Sequence, residues 1–219
     1  MIKKRAEYRQ YWLDITVGFV IKFIFFLGTL YASPVQTGQE ALVRLVGFSL
    51  WYLSSHVVSK LGNTALEEAY LGTTEQVLST RTKLWQLLLG LIMAEIILSL
   101  VLVFVFLGVS TMIVGGPPLW SGIEESAIQL LVFSGVGLCG MIGLGFMVLG
   151  LSLRYKQVGS VTEAILYYFL IFSGFFLDPK LLPMAVHLLN QLSPLAWAVE
   201  GMRHGWSLLG PALLVSGIW

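Results

Sequence analysis

The stretch GTTEQVLSTRTKLWQLLLG, Gly72–Gly90, begins polar and ends apolar. Just ahead of it stand two adjacent acids, Glu67 and Glu68, and strongly hydrophobic chain lies on either side of the whole. A polar segment from Lys60 to Lys83 therefore sits between two apolar runs. It holds only two glycines, Gly62 and Gly72, and no proline, so its composition is not that of an ordinary loop. Leu66 with Tyr70, and Tyr70 with Val77, are spaced by four and seven residues, which puts them on one face of a helix. A short amphipathic helix in water fits this pattern. Lipid headgroups are a poor surface for it, because anionic headgroups favour basic faces and this segment is rich in acids. A protein partner fits better.

The composition around the segment names the solvent. Of 219 residues, 57% are hydrophobic and 11% charged, against roughly 25% charged in soluble domains. A domain this small must show much of its surface to water, so the surplus apolar surface calls for lipid. The net charge of +1 gives nucleic acid nothing to bind. Cys139 is the one cysteine, which excludes an intrachain disulfide and a cysteine-rich metal site. In its apolar, glycine-rich run it reads as a buried, inert thiol.

A helix needs about 20 residues to cross the hydrocarbon layer. That measure gives spans at Leu13–Ala32, Ala41–Ser59, Leu84–Val109, Ala127–Leu153 and Val161–Leu177, with a shorter sixth apolar piece at Ser207–Trp219. The N-terminal run resembles a signal peptide, but its apolar part is too long and Lys22 interrupts it, so it is expected to be retained. Lys3, Lys4, Arg5, Arg9, Lys60, Arg81, Lys83, Arg154 and Lys156 all fall on one side of alternating spans. Only Lys180 and Arg203 fall clearly on the other. The positive-inside bias then predicts a multi-pass protein of the cell inner (plasma) membrane with a cytoplasmic N-terminus. Residues 1–12 mix Lys and Arg with Tyr8, Tyr11 and Trp12, a pattern that suits an interfacial helix and also allows a disordered tail.

A second segment, Ser173–Arg203 on the opposite side, is nearly as apolar as a span. Pro179, Pro183 and Pro194 nevertheless punctuate it, and Asp178, Lys180, Glu200 and Arg203 carry charge. Proline breaks the helical hydrogen-bond ladder, and unpaired backbone groups are costly in lipid. Short re-entrant helices buried against protein satisfy both features; an amphipathic loop on the outer leaflet is the alternative.

Together the two segments resemble the membrane subunit, or permease, of ABC-2 type transporters, the type-2 ABC exporters. The family's cytoplasmic segment runs glycine-threonine-leucine-glutamate-glutamine, a leucine pair, threonine-proline, then a tryptophan and a leucine run ending in glycine. Gly72, Thr73, Glu75, Gln76, Leu78, Thr80, Trp85, Leu87–Leu89 and Gly90 match in register. Thr74 stands where the family has leucine, and Arg81 where it has proline. Its outer signature is reproduced by Ser173-Gly174, Leu182-Pro183, Ser193-Pro194 and Arg203.

The resemblance implies an all-α membrane protein, residues 1–219 forming a single ABC-2 type transmembrane domain of about six transmembrane helices. The N-terminal interfacial helix takes residues 1–12, the coupling-helix segment between spans two and three residues 63–83, and the outer re-entrant segment between spans five and six residues 173–203. It also implies that Glu67, Glu68, Tyr70, Gly72, Thr73, Glu75, Gln76 and Leu78 couple the chain to a separate ABC ATP-binding subunit, with Leu66–Leu78 as the docking helix. Ser173, Gly174, Pro183, Pro194 and Arg203 form the outer motif. No lysine in the chain follows a glycine, so the Gly-Lys-Ser/Thr phosphate cradle is absent. The expectation is a transport subunit without an ATPase site or cofactor of its own, with Mg-ATP bound in the partner. In the family a second permease chain completes the translocation path, as a homo- or heterodimer. A hydrophobic or amphipathic substrate is expected, because the walls available to line a path are aliphatic and aromatic.

Two charges fall inside spans, where each costs roughly 2.5–3.5 kcal/mol at the centre on insertion scales. Lys22 lies about 14 Å and Glu95 about 17 Å from the cytoplasmic ends of their spans. They form an ion pair if spans one and three are neighbours; otherwise Glu95 lines the path, or Lys22 snorkels to the interface. His56, His187 and His204 are scattered, with no helical metal-binding pair. The glycines of span four include no two spaced by four residues, so they favour close packing within the subunit over a GxxxG dimer seam. An ATP-independent secondary transporter or channel is the rival class, and it predicts inverted repeats and helices broken near the midplane. A scaffolding subunit is the third.

Overall fold

The computed structural model describes residues 12–32, 38–71, 84–114, 116–155, 158–174 and 190–218. Every regular element among them is helical. The chain divides into two compact units, Met1–Thr37 and Gly38–Trp219. The first contains α1, Trp12–Ala32, whose bounds lie within one residue of the expected first span. The second contains α2 (Gly38–Leu71), α3 (Leu84–Val114), α4 (Gly116–Tyr155), α5 (Gly159–Phe172) and α6 (Pro194–His204), then a 3-10 turn at Trp206–Leu208 and α7 (Leu209–Ile218).

Helices are the expected response of such a chain to lipid, because they satisfy every backbone polar group within the segment. Among the described residues, three stretches are long and apolar enough to cross a membrane: Glu40–Asn63, Leu88–Met112 and Ala127–Tyr155. Three shorter apolar helices, Thr16–Gly28, Gly159–Phe172 and Trp206–Ile218, occupy the places of the first, fifth and sixth expected spans. The protein is an all-α membrane protein.

Several boundaries differ from expectation, each for a local reason. α4 begins at Gly116 rather than near residue 127, with Pro117 and Pro118 in its first turn. Proline there loses no intrahelical hydrogen bond, so it starts a helix rather than breaking one. α5 stops at Phe172, five residues before the expected end of span five. Gly174 adopts φ 79°, a left-handed conformation that glycine takes without a Cβ clash. Ser173, fully buried, donates its hydroxyl to the carbonyl of Leu170 at 3.0 Å.

α2 is the axis of the second unit. In its most apolar stretch 89% of residues are buried, against 18% in α3. It runs antiparallel to α3: Val57 and Leu61 pack with Ile92, and Phe48 stacks on Phe106 with ring centroids 5.3 Å apart. It runs parallel to α4: a Cβ placed on Gly137 would stand 3.0 Å from Leu50 Cδ2, and one on Gly145 2.8 Å from Leu61 Cδ1. Second and fourth crossings of one membrane must run the same way, and these do. α5 is tied to α2 by Trp51, whose indole N–H donates to the carbonyl of Leu166 at 2.9 Å.

Gly137, Gly140 and Gly145 are close-approach positions within the subunit, whereas Gly135 and Gly150 face open space. Cys139 corrects an expectation: it is exposed, not buried. It shares the outward stripe of α4 with Ile128, Leu131 and Phe146, while the glycine face turns inward.

Candidate functional site

The first candidate region is the far end of α2. The apolar helix does not stop at Ser59 but continues unbroken through Lys60 to Leu71. Glu67, Glu68 and Tyr70 therefore lie on the same helix that forms the core of the bundle. The proposed docking segment starts as an extension of the second span, not as a separate short helix. Gly72, Thr73, Glu75, Gln76 and Leu78 lie outside the described residues, as does the N-terminal segment 1–11.

The second region is α6 with its surroundings. Ser193 caps the helix: it is fully buried and its hydroxyl accepts from the N–H of Ala196 at 3.3 Å. Pro194 follows at the first helical position, where its missing N–H costs nothing. An isolated helix of 11 residues is marginal in water; this one is held by burial of Pro194, Leu195, Ala196, Ala198, Val199, Gly201 and Met202.

α6 lies antiparallel to α4. A Cβ on Gly140 would meet Pro194 at 2.6 Å, and one on Gly137 would meet Ala198 at 2.9 Å. One on Gly201 would collide with the Phe133 ring. At the far end Gln129 donates from Nε2 to the carbonyls of Gly201 at 2.8 Å and Met202 at 3.1 Å. Those belong to the last turn, where helix carbonyls run short of partners; the Gly201 carbonyl also accepts from the Gly205 N–H at 2.9 Å. Gly140 falls near the middle of the apolar stretch Ala127–Tyr155, so α6 starts at the middle of that stretch and ends beside its beginning, at Gln129. At about 16 Å it is half a span long. That is the half-depth geometry a re-entrant helix needs.

Of the outer motif, Ser173 and Gly174 end α5, Pro194 opens α6 and Arg203 lies in its last turn; Pro183 is outside the described residues. Two positions that carry this arrangement, Gln129 and Phe133, were not singled out from the sequence. Gln129 left a signal, a lone amide in an apolar span; Phe133 left none among so many aromatics.

Of the intramembrane charges, Glu95 is buried on α3, on one face with Ile92, Ser99, Val103, Phe106 and Ser110. Lys22 lies on α1, in the other compact unit. Near the start of α2, Arg44 is also buried and pairs with Glu40 one turn earlier at 2.9 Å. Among the described residues no group of three or more His, Cys, Asp or Glu side chains could hold a metal ion.

Comparison with known protein families gives a match to the ABC-2 type transporter membrane family over residues 2–206. No curated protein matches the chain.

Proposed function

The chain belongs to the ABC-2 type transporter family, a family of multi-pass permease components, and from that premise we propose that it is the membrane subunit of an ATP-driven exporter. It forms the translocation path as a dimer with a second permease chain, homologous or identical. The energy comes from a separate ATP-binding subunit that holds Mg-ATP and docks on the segment 63–83. The N-terminus faces the cytoplasm across the inner membrane, which puts the far end of α2 in the cytoplasm as well.

The observation that carries this reading is the continuity of α2, from the buried centre of the bundle into the polar segment that ends at Leu71. A polar stretch on a separate loop could dock a partner without moving anything. A stretch continuous with the most buried helix is mechanically joined to the helices around it. The α6 geometry supports the complementary half of the reading, a helix dipping to mid-depth from the outer side, where a path needs an exit gate. A hydrophobic or amphipathic substrate suits the apolar side chains available to line that path.

The test is purification of the tagged chain in mild detergent from its native cell, with an ATPase assay on what accompanies it. An ATP-binding subunit that is lost when Glu75 and Gln76 are both changed to alanine supports the reading. An ATP-binding subunit that stays bound to the variant moves the docking site elsewhere.

A further inference from the structure

α2 touches α3, α4, α5 and α6, and near the end that leaves the bundle its backbone comes close to two of them. At Gly62 an added Cβ would stand 3.1 Å from Val148 Cγ1 and 3.6 Å from Ser152 Oγ on α4, and 3.9 Å from Thr162 Oγ1 on α5. The approach is reciprocal. A Cβ on Gly145 of α4 would stand 2.8 Å from Leu61 Cδ1 and 3.6 Å from the backbone Cα of Val58. Two glycines on facing helices thus bring the α2 and α4 backbones together, with α5 at the same point.

The surrounding groups are buried. Thr162 is buried and its hydroxyl is committed to the carbonyl of Val158 at 2.9 Å. Ser152 is buried, and its hydroxyl has no hydrogen-bond partner among the described residues. Val148 is buried at 1% exposure, so a methyl group added at position 62 displaces packed atoms. Beyond Gly62, α2 runs on to Leu71.

We propose that Gly62 is a positioning residue, the joint at which movement of the coupling segment passes to α4 and α5. The inference rests on the reading that this segment docks on an ATP-binding subunit. A helix transmits a push along its length, and packed interfaces shift between discrete arrangements rather than deforming smoothly. Movement of the 63–71 end therefore enters the bundle through the packing around Gly62, where Val148, Ser152 and Thr162 converge. α4 in turn holds α6 through Gly137, Gly140 and Gln129, so the same displacement reaches the far side of the bundle. A side chain at position 62 wedges α2 away from α4 and α5. It leaves the docking segment intact and slackens the joint.

The experiment uses the permease assembled with its ATP-binding subunit in lipid nanodiscs. The permease is labelled before assembly with an environment-sensitive maleimide on Cys139, its one cysteine, exposed on α4. The expected result in the wild type is a change in emission on addition of ATP and vanadate. Gly62→Val keeps the ATP-binding subunit and its ATP hydrolysis, but its emission change falls at least about fivefold, the lower end of typical coupling between sites. Gly62→Ala weakens the change, and adding Val148→Ala, which removes the methyl group the new Cβ would meet, restores it. That pair decides the matter if Gly62→Val does not assemble. An unchanged signal in Gly62→Ala, failure of the second substitution to restore it, or a wild-type complex that hydrolyses ATP with no change at Cys139 overturns the joint alone. A wild-type permease that brings no ATP-binding subunit overturns the parent reading and the joint with it.

Discussion

The indole N–H of Trp51 donates to the carbonyl of Leu166 at 2.9 Å, tying the central helix α2 to α5 across 115 residues of sequence. Trp51 is buried, and a donor in an apolar interior has no water to turn to. Replacing it with phenylalanine keeps most of the packing and removes the bond, an expected loss of about 1 kcal/mol. Trp51→Ala also opens a cavity and costs about 3–5 kcal/mol. Thermal unfolding in detergent, followed by circular dichroism, ranks the two.

Ser193 supplies the one side-chain cap of α6. Ser193→Ala removes one of the two acceptors of the Ala196 amide, which also donates to the Ser193 carbonyl at 3.1 Å, and costs about 0.5–1 kcal/mol, the lower part of the range for caps. Ser193→Thr retains the hydroxyl and most of the stability. Hydrogen exchange at the Ala196 amide reads the effect locally, and faster exchange is expected in the alanine variant only.

The glycines of α4 and α6 separate into two groups. Gly201→Ala forces the new methyl group into the Phe133 ring, while Gly135→Ala meets nothing within 4 Å. The first costs about 1–3 kcal/mol as overpacking; the second is near neutral or slightly stabilising. Combining Gly201→Ala with Phe133→Leu costs less than the sum of the two, because the sites touch. Melting temperatures of the four variants check all three statements.

Much of this architecture is legible in the sequence, because lipid imposes a length on apolar runs. The first span, expected at Leu13–Ala32, is α1 at Trp12–Ala32. Where the chain departs from a plain run, a backbone effect decides: Gly174 ends α5 early, and Pro117 and Pro118 sit where they start α4. Facing is harder to read. α3 is apolar nearly all round, so periodicity does not say which side meets α2 and which meets lipid. For the same reason Cys139 is expected inside and found outside, and nothing at Gly62 in the sequence says that three other side chains converge on it. The outer signature identifies a stretch of chain, but the contacts that hold it lie on another helix, α4, at Gly140, Phe133 and Gln129.

The claim that most needs testing is that this chain is one half of a machine whose power comes from another polypeptide. Native mass spectrometry of the complex purified from its own cell, with the tag on this chain, measures it directly. Two permease chains with two ATP-binding subunits are expected, reduced to permease alone when Glu75 and Gln76 are replaced by alanine. A chain that flies without any nucleotide-binding partner, from cells and detergents that preserve other membrane complexes, contradicts it.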